Sequence, residues 1–342
     1  MKSLKKEKGI TLIALVVTII VLLILAGVSI TMLTGDDDIV TKATEAAQKT
    51  EEADDKEKAD LEKMSEKIDK AVNEEYDESE IPEAGTVVTK PSEWTTLNGT
   101  AIADGNGGTI PLPAGFYYVD GDIKTGLVIS SKEDDTLTSS GTTSGNQFVW
   151  IPVTNYSDTS NEALKTKIET YGGFYFSRYE AGVNSTEFRT GTTSVQTPVS
   201  KNGVVPYNFV TWEDAVSASE NMYDSSTSVE SSLCYGEQWD EMCAYIEDSS
   251  RTGETQSTAV TTGSVSSDVS KNICDLTTNA GEWTMEEGSS FFGGTVHIIR
   301  GGWWFGTMAY SIDFKGNTDD EYGYADPYTS EMVGFRVAMY VI

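Results

Sequence analysis

Thiol and imidazole groups are the side chains best suited to redox or metal chemistry, and this sequence has few of them. There are three cysteines, Cys234, Cys243 and Cys274, and a single histidine, His297. No pair of cysteines has the CxxC spacing of a zinc or redox motif. We expect the thiols to be small buried hydrophobic groups, with one disulfide as the alternative. His297 lies in the apolar run Thr-Val-His-Ile-Ile, which predicts a structural histidine on a strand.

Aromatic residues alternate with small polar residues between positions 303 and 332, a composition typical of binding loops. Such residues supply contact area at low entropic cost, as in antibody loops. The alternative is that several of these rings belong to the core. We predict a ligand-binding surface for an unspecified protein or glycan ligand, formed by Trp304, Phe305, Thr307, Tyr310, Asp313, Asn317, Asp319, Tyr322, Tyr324 and Tyr328.

An ordered series of motifs from residue 148 to the C-terminus must position these side chains. Thr211 followed by Asp214 approximates the capping box of a helix, and a second helix is expected after Leu233. Two glycines after an apolar strand, Gly301 and Gly302, indicate unusual backbone angles or close backbone approach. Strands are predicted near residues 148–152, 172–180, 296–299 and 334–340. Shorter β-prone runs lie near 86–88, 115–119 and 126–129.

This series resembles the formylglycine-generating-enzyme (sulfatase-modifying factor) family. The resemblance rests on the Asn279…Glu282-Trp-Thr, Arg300-Gly-Gly and Gly334-Phe-Arg motifs in order. It covers roughly residues 146–342 and implies a variant of the C-type lectin fold. The motif side chains are expected to hold that fold through buried ion pairs, in which arginine offers bidentate geometry. The charged members of the motifs are Arg178, Glu180, Glu282, Arg300 and Arg336.

Enzymes of that family oxidise a cysteine by means of a cysteine pair shortly after Arg-Gly-Gly, and other branches bind non-haem iron through histidines. In this chain no cysteine follows Cys274, and His297 is the only histidine. Thiolate chemistry and a two-histidine iron site both lack their ligands. We therefore predict that the chain is not an enzyme.

Calcium is the one cofactor that the resemblance implies. The family holds it with oxygen ligands near a Gly-Asn-x-Trp-Glu-Trp segment, and oxygen ligands suit calcium. Asn279 and Glu282 match that segment, whereas Thr278 and Gly281 depart from it. The predicted metal ligands are thus Asn279 and Glu282.

The stretch between Arg300-Gly-Gly and Gly334-Phe-Arg is also similar to the variable proteins of diversity-generating retroelements. In those proteins adenine-directed mutagenesis rewrites the codons between two fixed motifs. Met308, Lys315 and Glu321 fit that codon bias less well than their neighbours. The similarity implies that the predicted binding surface is a diversified one.

The N-terminal region begins with a lysine-rich leader and an uncharged run over residues 9–34. A run of this length predicts a membrane-spanning helix, which needs ~20 apolar residues. The lysines of the leader favour the cytoplasmic side, so the remaining chain is expected to lie outside the cell. A cleaved secretory signal with a cut near Ala26 is an alternative.

The leader also resembles that of type IV prepilins, because Lys-Glu-Lys-Gly is followed at once by Ile-Thr-Leu-Ile. The resemblance implies cleavage by a prepilin peptidase between Gly9 and Ile10, and association with other pilin subunits. Pilins usually carry Glu at the fifth mature position, where this chain has Ala14. That difference favours an accessory pilin-like role over a major filament subunit, and a plain membrane anchor is the alternative.

Composition limits the partners further. The chain of 342 residues has a formal charge of −30, which argues against nucleic acid as a partner.

We predict an α+β fold with a transmembrane or pilin-like helix, a helical stalk and a loop-rich C-type-lectin-like domain, at the bacterial membrane or on a pilus. Partial disorder of the stalk is an alternative. The predicted boundaries are a leader at 1–9, a helix at 10–34, a stalk at 35–80, a loop-rich β segment at 81–145 and the lectin-like domain at 146–342.

Overall fold

The computed structural model describes residues 16–25, 58, 81–138, 141–157, 160–224, 228–253, 256–289, 294–302, 311–316, 323–324 and 327–342. The chain divides into two units, Met1–Glu78 and Ser79–Ile342. In the first unit residues 16–25 form a helix, α1, whose apolar side chains are exposed. The predicted cleavage site, Gly9 and Ile10, lies outside the described residues, as does the predicted stalk apart from helical Lys58.

The second unit consists mainly of short strands. In chain order the first nine are β1 Val87–Val88, β2 Gly99–Ala103, β3 Thr109–Pro113, β4 Tyr117–Asp120, β5 Val128–Ser130, β6 Gln147–Pro152, β7 Gly173–Ser177, β8 Gly182–Val183 and β9 Val205–Pro206. The remaining strands are β10 Val229–Leu233, β11 Val269–Ser270, β12 Ile273–Cys274, β13 Gly281–Ser289, β14 Thr295–Arg300, β15 Gly323–Tyr324, β16 Val333–Phe335 and β17 Val337–Val341. In the described part of this unit three helices accompany them: α2 Glu162–Tyr171, α3 Trp212–Glu220 and α4 Gly236–Ile246.

The predicted α+β fold with a membrane-spanning helix and a helical stalk before a lectin-like domain is wrong. The described part of the chain is mostly β-sheet with four short helices, and α2, α3 and α4 have only 10, 9 and 11 residues. In the described ranges, no helix combines the length and apolar character needed to cross a membrane.

The largest sheet has six antiparallel strands in the order β10-β17-β7-β6-β5-β4. β6 and β7 are apolar runs whose residues are almost all buried. Because successive side chains of a strand point to opposite faces, Phe148 and Trp150 of β6 enter one hydrophobic cluster, and Val149 and Ile151 enter the other. The sheet is therefore covered on both faces.

A second sheet of four strands carries the motif residues. Its order is β15-β14-β13-β16, and β13 pairs with β16 in parallel and with β14 in antiparallel orientation. In the described ranges a three-stranded sheet, β1-β2-β3, and two strand pairs, β8-β9 and β11-β12, complete the fold. β5, from the predicted 81–145 segment, pairs with β6, from the predicted 146–342 segment, so these two segments share a sheet.

Candidate functional site

A buried ion pair lies where β13 meets the link between β16 and β17. The Nε of Arg336 donates to Glu282 Oε1 and Oε2 at 3.1 and 2.9 Å, and its Nη2 donates to Oε1 at 2.6 Å. The other guanidinium donors reach main-chain carbonyls: Nη1 donates to Ser177 at 3.0 Å and Nη2 donates to Cys274 at 2.9 Å. Both side chains are buried, so the pair joins three segments of chain and is closed to solvent.

The other motif arginines are also bound to the protein. Arg300 at the end of β14 pairs with Asp240 at 3.1 Å and with Glu286 at 3.0 Å. Arg178 donates to the side chain of Gln147 at 2.6 Å and to the carbonyl of Asn272 at 2.9 Å. The described motif residues therefore serve to connect strands and loops.

Three buried carboxyl groups surround the single guanidinium of Arg336. Burial raises the pKa of Glu282, although Arg336 opposes the shift. Burial and the neighbouring Asp275 carboxylate raise the pKa of Glu180 well above its usual value. Burial raises the pKa of Asp275 to about 7, against the opposing effects of Arg336 and the amide of Gly263. Glu180 Oε2 and Asp275 Oδ1 lack hydrogen-bond partners among the described residues.

Asn279 and Glu282, the predicted calcium ligands, are both engaged with protein donors. Asn279 Oδ1 accepts from the Val260 amide at 3.0 Å, and its Nδ2 donates to Glu180. Both oxygens of Glu282 accept from Arg336. Across the described ranges, no group of three or more His, Cys, Asp or Glu side chains could hold a metal ion. The two residues do not fit a calcium site in this arrangement.

The glycines of the Arg-Gly-Gly motif permit close packing under the second sheet. Gly301 has a φ of +73°, a conformation that favours glycine. A Cβ on Gly302 would lie 2.4 Å from the carbonyl oxygen of Thr277 and 2.7 Å from its Cα. Both expectations for these glycines, a left-handed backbone and a close approach, are confirmed.

Three of the ten predicted ligand-binding residues lie in the described part of the chain. The rings of Tyr324 and Tyr328 are stacked, with centroids 3.8 Å apart and an interplanar angle of 5°. Each ring meets Trp283 edge-on, with centroids 6.3 Å apart. Both tyrosines are half-buried, so the stack rests on the core and keeps part of its surface in solvent.

Asp313 is exposed and has other neighbours. Its amide donates to the carbonyl of Ser249 at 2.9 Å, and its carboxylate accepts from the hydroxyl of Ser311 at 2.5 Å. The structure thus brings two predicted tyrosines together and gives Asp313 contacts on a different loop. The other seven predicted residues, Trp304, Phe305, Thr307, Tyr310, Asn317, Asp319 and Tyr322, lie outside the described residues.

The thiols and the imidazole take part in packing. All three cysteines are free, and burial raises the pKa of Cys243 and of Cys274 to about 12. Thiolate, the reactive form, is therefore scarce at neutral pH. The ring of His297 stacks on Trp212 at a centroid distance of 3.6 Å and an angle of 7°.

One cavity involves residues that the sequence analysis did not predict as a site. It has a volume of about 450 Å³, within the usual range of ligand pockets. Its walls come from α2, from the end of α3, from β10 and β17, and from the residue before α4. No single motif contains them, because the β10–β17 pairing brings together segments that lie far apart in the sequence. The lining residues are Asn161, Ala163, Leu164, Lys167, Glu220, Tyr223, Asp224, Glu230, Ser231, Ser232, Tyr235 and Tyr340.

Comparison of the chain with protein-family models, with curated proteins and with solved structures gives no match.

Proposed function

We propose that this chain is a non-catalytic, pilin-like cell-surface protein that binds a ligand through residues 303–332. The observation that carries the proposal is the Tyr324–Tyr328 stack, which Trp283 holds from below. Rings that are fixed by packing and remain half-exposed give contact area with little loss of rotamer freedom on binding. A stacked aromatic pair of this kind suits a sugar ring or a flat peptide group.

The contacts of the motif residues support a binding role over catalysis. The arginines of the motifs donate to carboxylates, an amide side chain and main-chain carbonyls. Buried thiols with a raised pKa are poor nucleophiles. The motif arginines and their partners stabilise the sheets next to the tyrosines. The resemblance to formylglycine-generating enzymes implies this structural role for the motif residues in a member that lacks the oxidase cysteines.

The proposal for the N-terminus rests on sequence alone. The Lys-Glu-Lys-Gly leader would be cut by a prepilin peptidase between Gly9 and Ile10 at the bacterial membrane. The mature chain would then associate with other pilin subunits at the cell surface. The similarity to retroelement-diversified proteins makes residues 303–332 the segment in which related genes are expected to differ.

Binding can be tested with the full-length chain in a mild detergent on a printed array of oligosaccharides and peptides. We expect bound array members whose signal falls at least tenfold in Tyr328→Ala and in Tyr310→Ala. The matched control is Phe188→Ala, which removes an exposed ring outside the segment. Thermal unfolding of each variant separates lost binding from lost folding. A blank array, or equal binding by all variants, contradicts the ligand-binding role and leaves a structural accessory pilin.

Processing can be tested by mass spectrometry of the N-terminus of protein recovered from the cell surface. An N-terminus at Ile10 is the expected result. An intact Met1 would indicate an unprocessed anchor, and a cut near Ala26 would indicate a secretory signal. Either of these two results would refute the pilin-like part of the proposal without affecting the binding experiment.

A further inference from the structure

We propose that the half-buried ring of Phe209 belongs to the ligand-binding surface together with Tyr324 and Tyr328, and that this surface takes a neutral sugar ring. Phe209 lies in the link between β9 and α3, far from residues 303–332 in the sequence. The inference rests on the proposed function, because it adds a residue and a ligand class to the same surface.

The main chain around Phe209 is bonded to the neighbours of the tyrosine stack. Its amide donates to the carbonyl of Ser330 at 3.0 Å, and Ser330 comes two residues after Tyr328. The next carbonyl, that of Val210, accepts from the indole nitrogen of Trp283 at 3.1 Å. Trp283 is the ring on which both stacked tyrosines rest. Two hydrogen bonds thus fix Phe209 close to the stack.

The backbone of Phe209 is in the left-handed region, with a φ of +50°. This conformation is an outlier for a bulky residue, because the Cβ comes too close to the following carbonyl oxygen. Among the described residues, Phe209 belongs to neither of the two hydrophobic clusters, so packing in the core does not account for the ring. Strained residues of this kind are concentrated at binding and active sites, where the surrounding structure maintains them.

The hydrogen bonds around Phe209 favour a sugar ring over a peptide as the ligand. An extended peptide needs main-chain partners, but the Phe209 amide and the Val210 carbonyl are already paired. The Phe209 carbonyl accepts from Arg189 at 3.5 Å. A sugar ring needs no main-chain partner, because its C–H groups pack on the negatively polarised faces of aromatic rings. The charge of −30 on the chain repels anionic sugars, which leaves the neutral ones.

The experiment measures binding of cellotetraose, chitotetraose and maltotetraose to the full-length chain by saturation-transfer NMR titration. The detergent is a polyoxyethylene ether, which has no sugar headgroup. We expect saturable binding of at least one of these sugars. We expect Phe209→Asn to weaken this binding by about tenfold, and Phe209→Tyr, which keeps the ring, by less than about threefold. Because asparagine tolerates a left-handed backbone, Phe209→Asn is expected to melt no lower than wild type.

The matched control is Glu247→Asn. Glu247 also has a positive φ, at 69°, and it is exposed at the C-terminal end of α4. Its substitution therefore makes the same backbone change on a different element, and we expect unchanged sugar binding.

The inference is overturned by no saturable binding of the three sugars, or by equal binding in Phe209→Asn and the control. It is also overturned if Phe209→Asn melts several degrees below wild type, which would show that the ring stabilises the fold. Array peptides that bind through Tyr328, with no binding of sugars, would refute this inference and leave the proposed function intact. No binding of sugars or array peptides would refute both.

Discussion

At the scale of single residues, the centre of the fold is the buried Arg336 guanidinium. Three buried carboxyl groups, those of Glu282, Asp275 and Glu180, surround this one positive charge. One positive charge faces Glu282 directly, and Asp275 and Glu180 interact with it at longer range. Burial alone would lower the pKa of Arg336, but the Glu282 carboxylate raises it. Arg336 thus remains charged. Burial instead raises the pKa of the two carboxyl groups that lie farther from it, Asp275 and Glu180.

We expect Arg336→Met to lower the free energy of unfolding by about 3–5 kcal/mol, because Glu282 is left buried without a counter-charge. The Glu282→Gln/Arg336→Met double variant removes both charges and is expected to recover part of that loss. Urea unfolding followed by tryptophan fluorescence compares Arg336→Met, Glu282→Gln and the double variant. Additive losses in the two single variants and the double variant would show that the pair is not coupled.

Asp275 makes stability depend on pH. Its pKa is 3.8 when unperturbed and about 7 in the folded chain, so the native state binds more protons between these values. Stability is therefore expected to fall as the pH rises from about 4 to about 7. Asp275→Asn removes the Asp275 contribution and leaves that of Glu180, whose pKa is also raised. The substitution is expected to raise the free energy of unfolding at pH 8 by roughly 2–4 kcal/mol.

The control for that experiment is Asp134→Asn. Asp134 and Asp275 both have positive φ, at 58° and 61°, a conformation that asparagine also adopts. Asp134 is exposed, so its substitution is expected to leave the pH profile unchanged. Parallel pH profiles for wild type and Asp275→Asn, from urea unfolding at several pH values, would contradict the assignment.

At the scale of elements, the short strands were predictable where local chemistry decides the conformation. The buried runs at Gln147–Pro152 and Gly173–Ser177 are strands, as predicted. The Thr211 hydroxyl accepts from the amide of Asp214 at 3.1 Å, as its position before α3 predicts. These features depend on side chains within a few residues of each other, which is the range that a sequence pattern reports.

The Gly302 contact ties β14 to the loop that contains Thr277. We expect Gly302→Ala to cost about 1–3 kcal/mol, because its Cβ would meet main-chain atoms that cannot move independently. Gly191→Ala is the matched control, since nothing lies within 4 Å of a Cβ there, and it is expected to change stability by less than about 1 kcal/mol. Thermal unfolding of both variants tests this, and equal melting temperatures would contradict a close approach at Gly302.

At the scale of the whole molecule, net charge and the pairing of strands that lie far apart in the sequence determine features that local sequence patterns do not show. The β10–β17 pairing joins residues that are more than a hundred positions apart, and it creates the cavity that no motif indicated. The stack of Tyr324 on Tyr328 was likewise not predictable, because composition indicates aromatic surface but not which rings pack on Trp283. The predicted helical architecture is wrong because the uncharged run and the charged stretch after it report on the N-terminal region alone, whereas the described part of the chain is mostly β-sheet.

The charge of −30 also predicts a response to salt. Repulsion among like charges destabilises a compact state, and salt shortens its range from ~30 Å at 0.01 M to ~8 Å at 0.15 M. We expect the melting temperature of the full-length chain to rise between these two concentrations of NaCl. An unchanged or lower melting temperature would show that attractive ion pairs outweigh the repulsion.

The position of β17 in the largest sheet has a consequence for biosynthesis. β17 comes after all its partners in the chain, yet it is inserted between β10 and β7. Until residue 341 has left the ribosome, β7 presents an open main-chain edge and β10 has no neighbour. At about 5–20 residues per second, synthesis from the end of β7 to the end of β17 takes roughly 8–33 s, and the sheet stays incomplete during that time. This unfinished sheet is the stage at which chaperones and proteases would compete for the nascent chain.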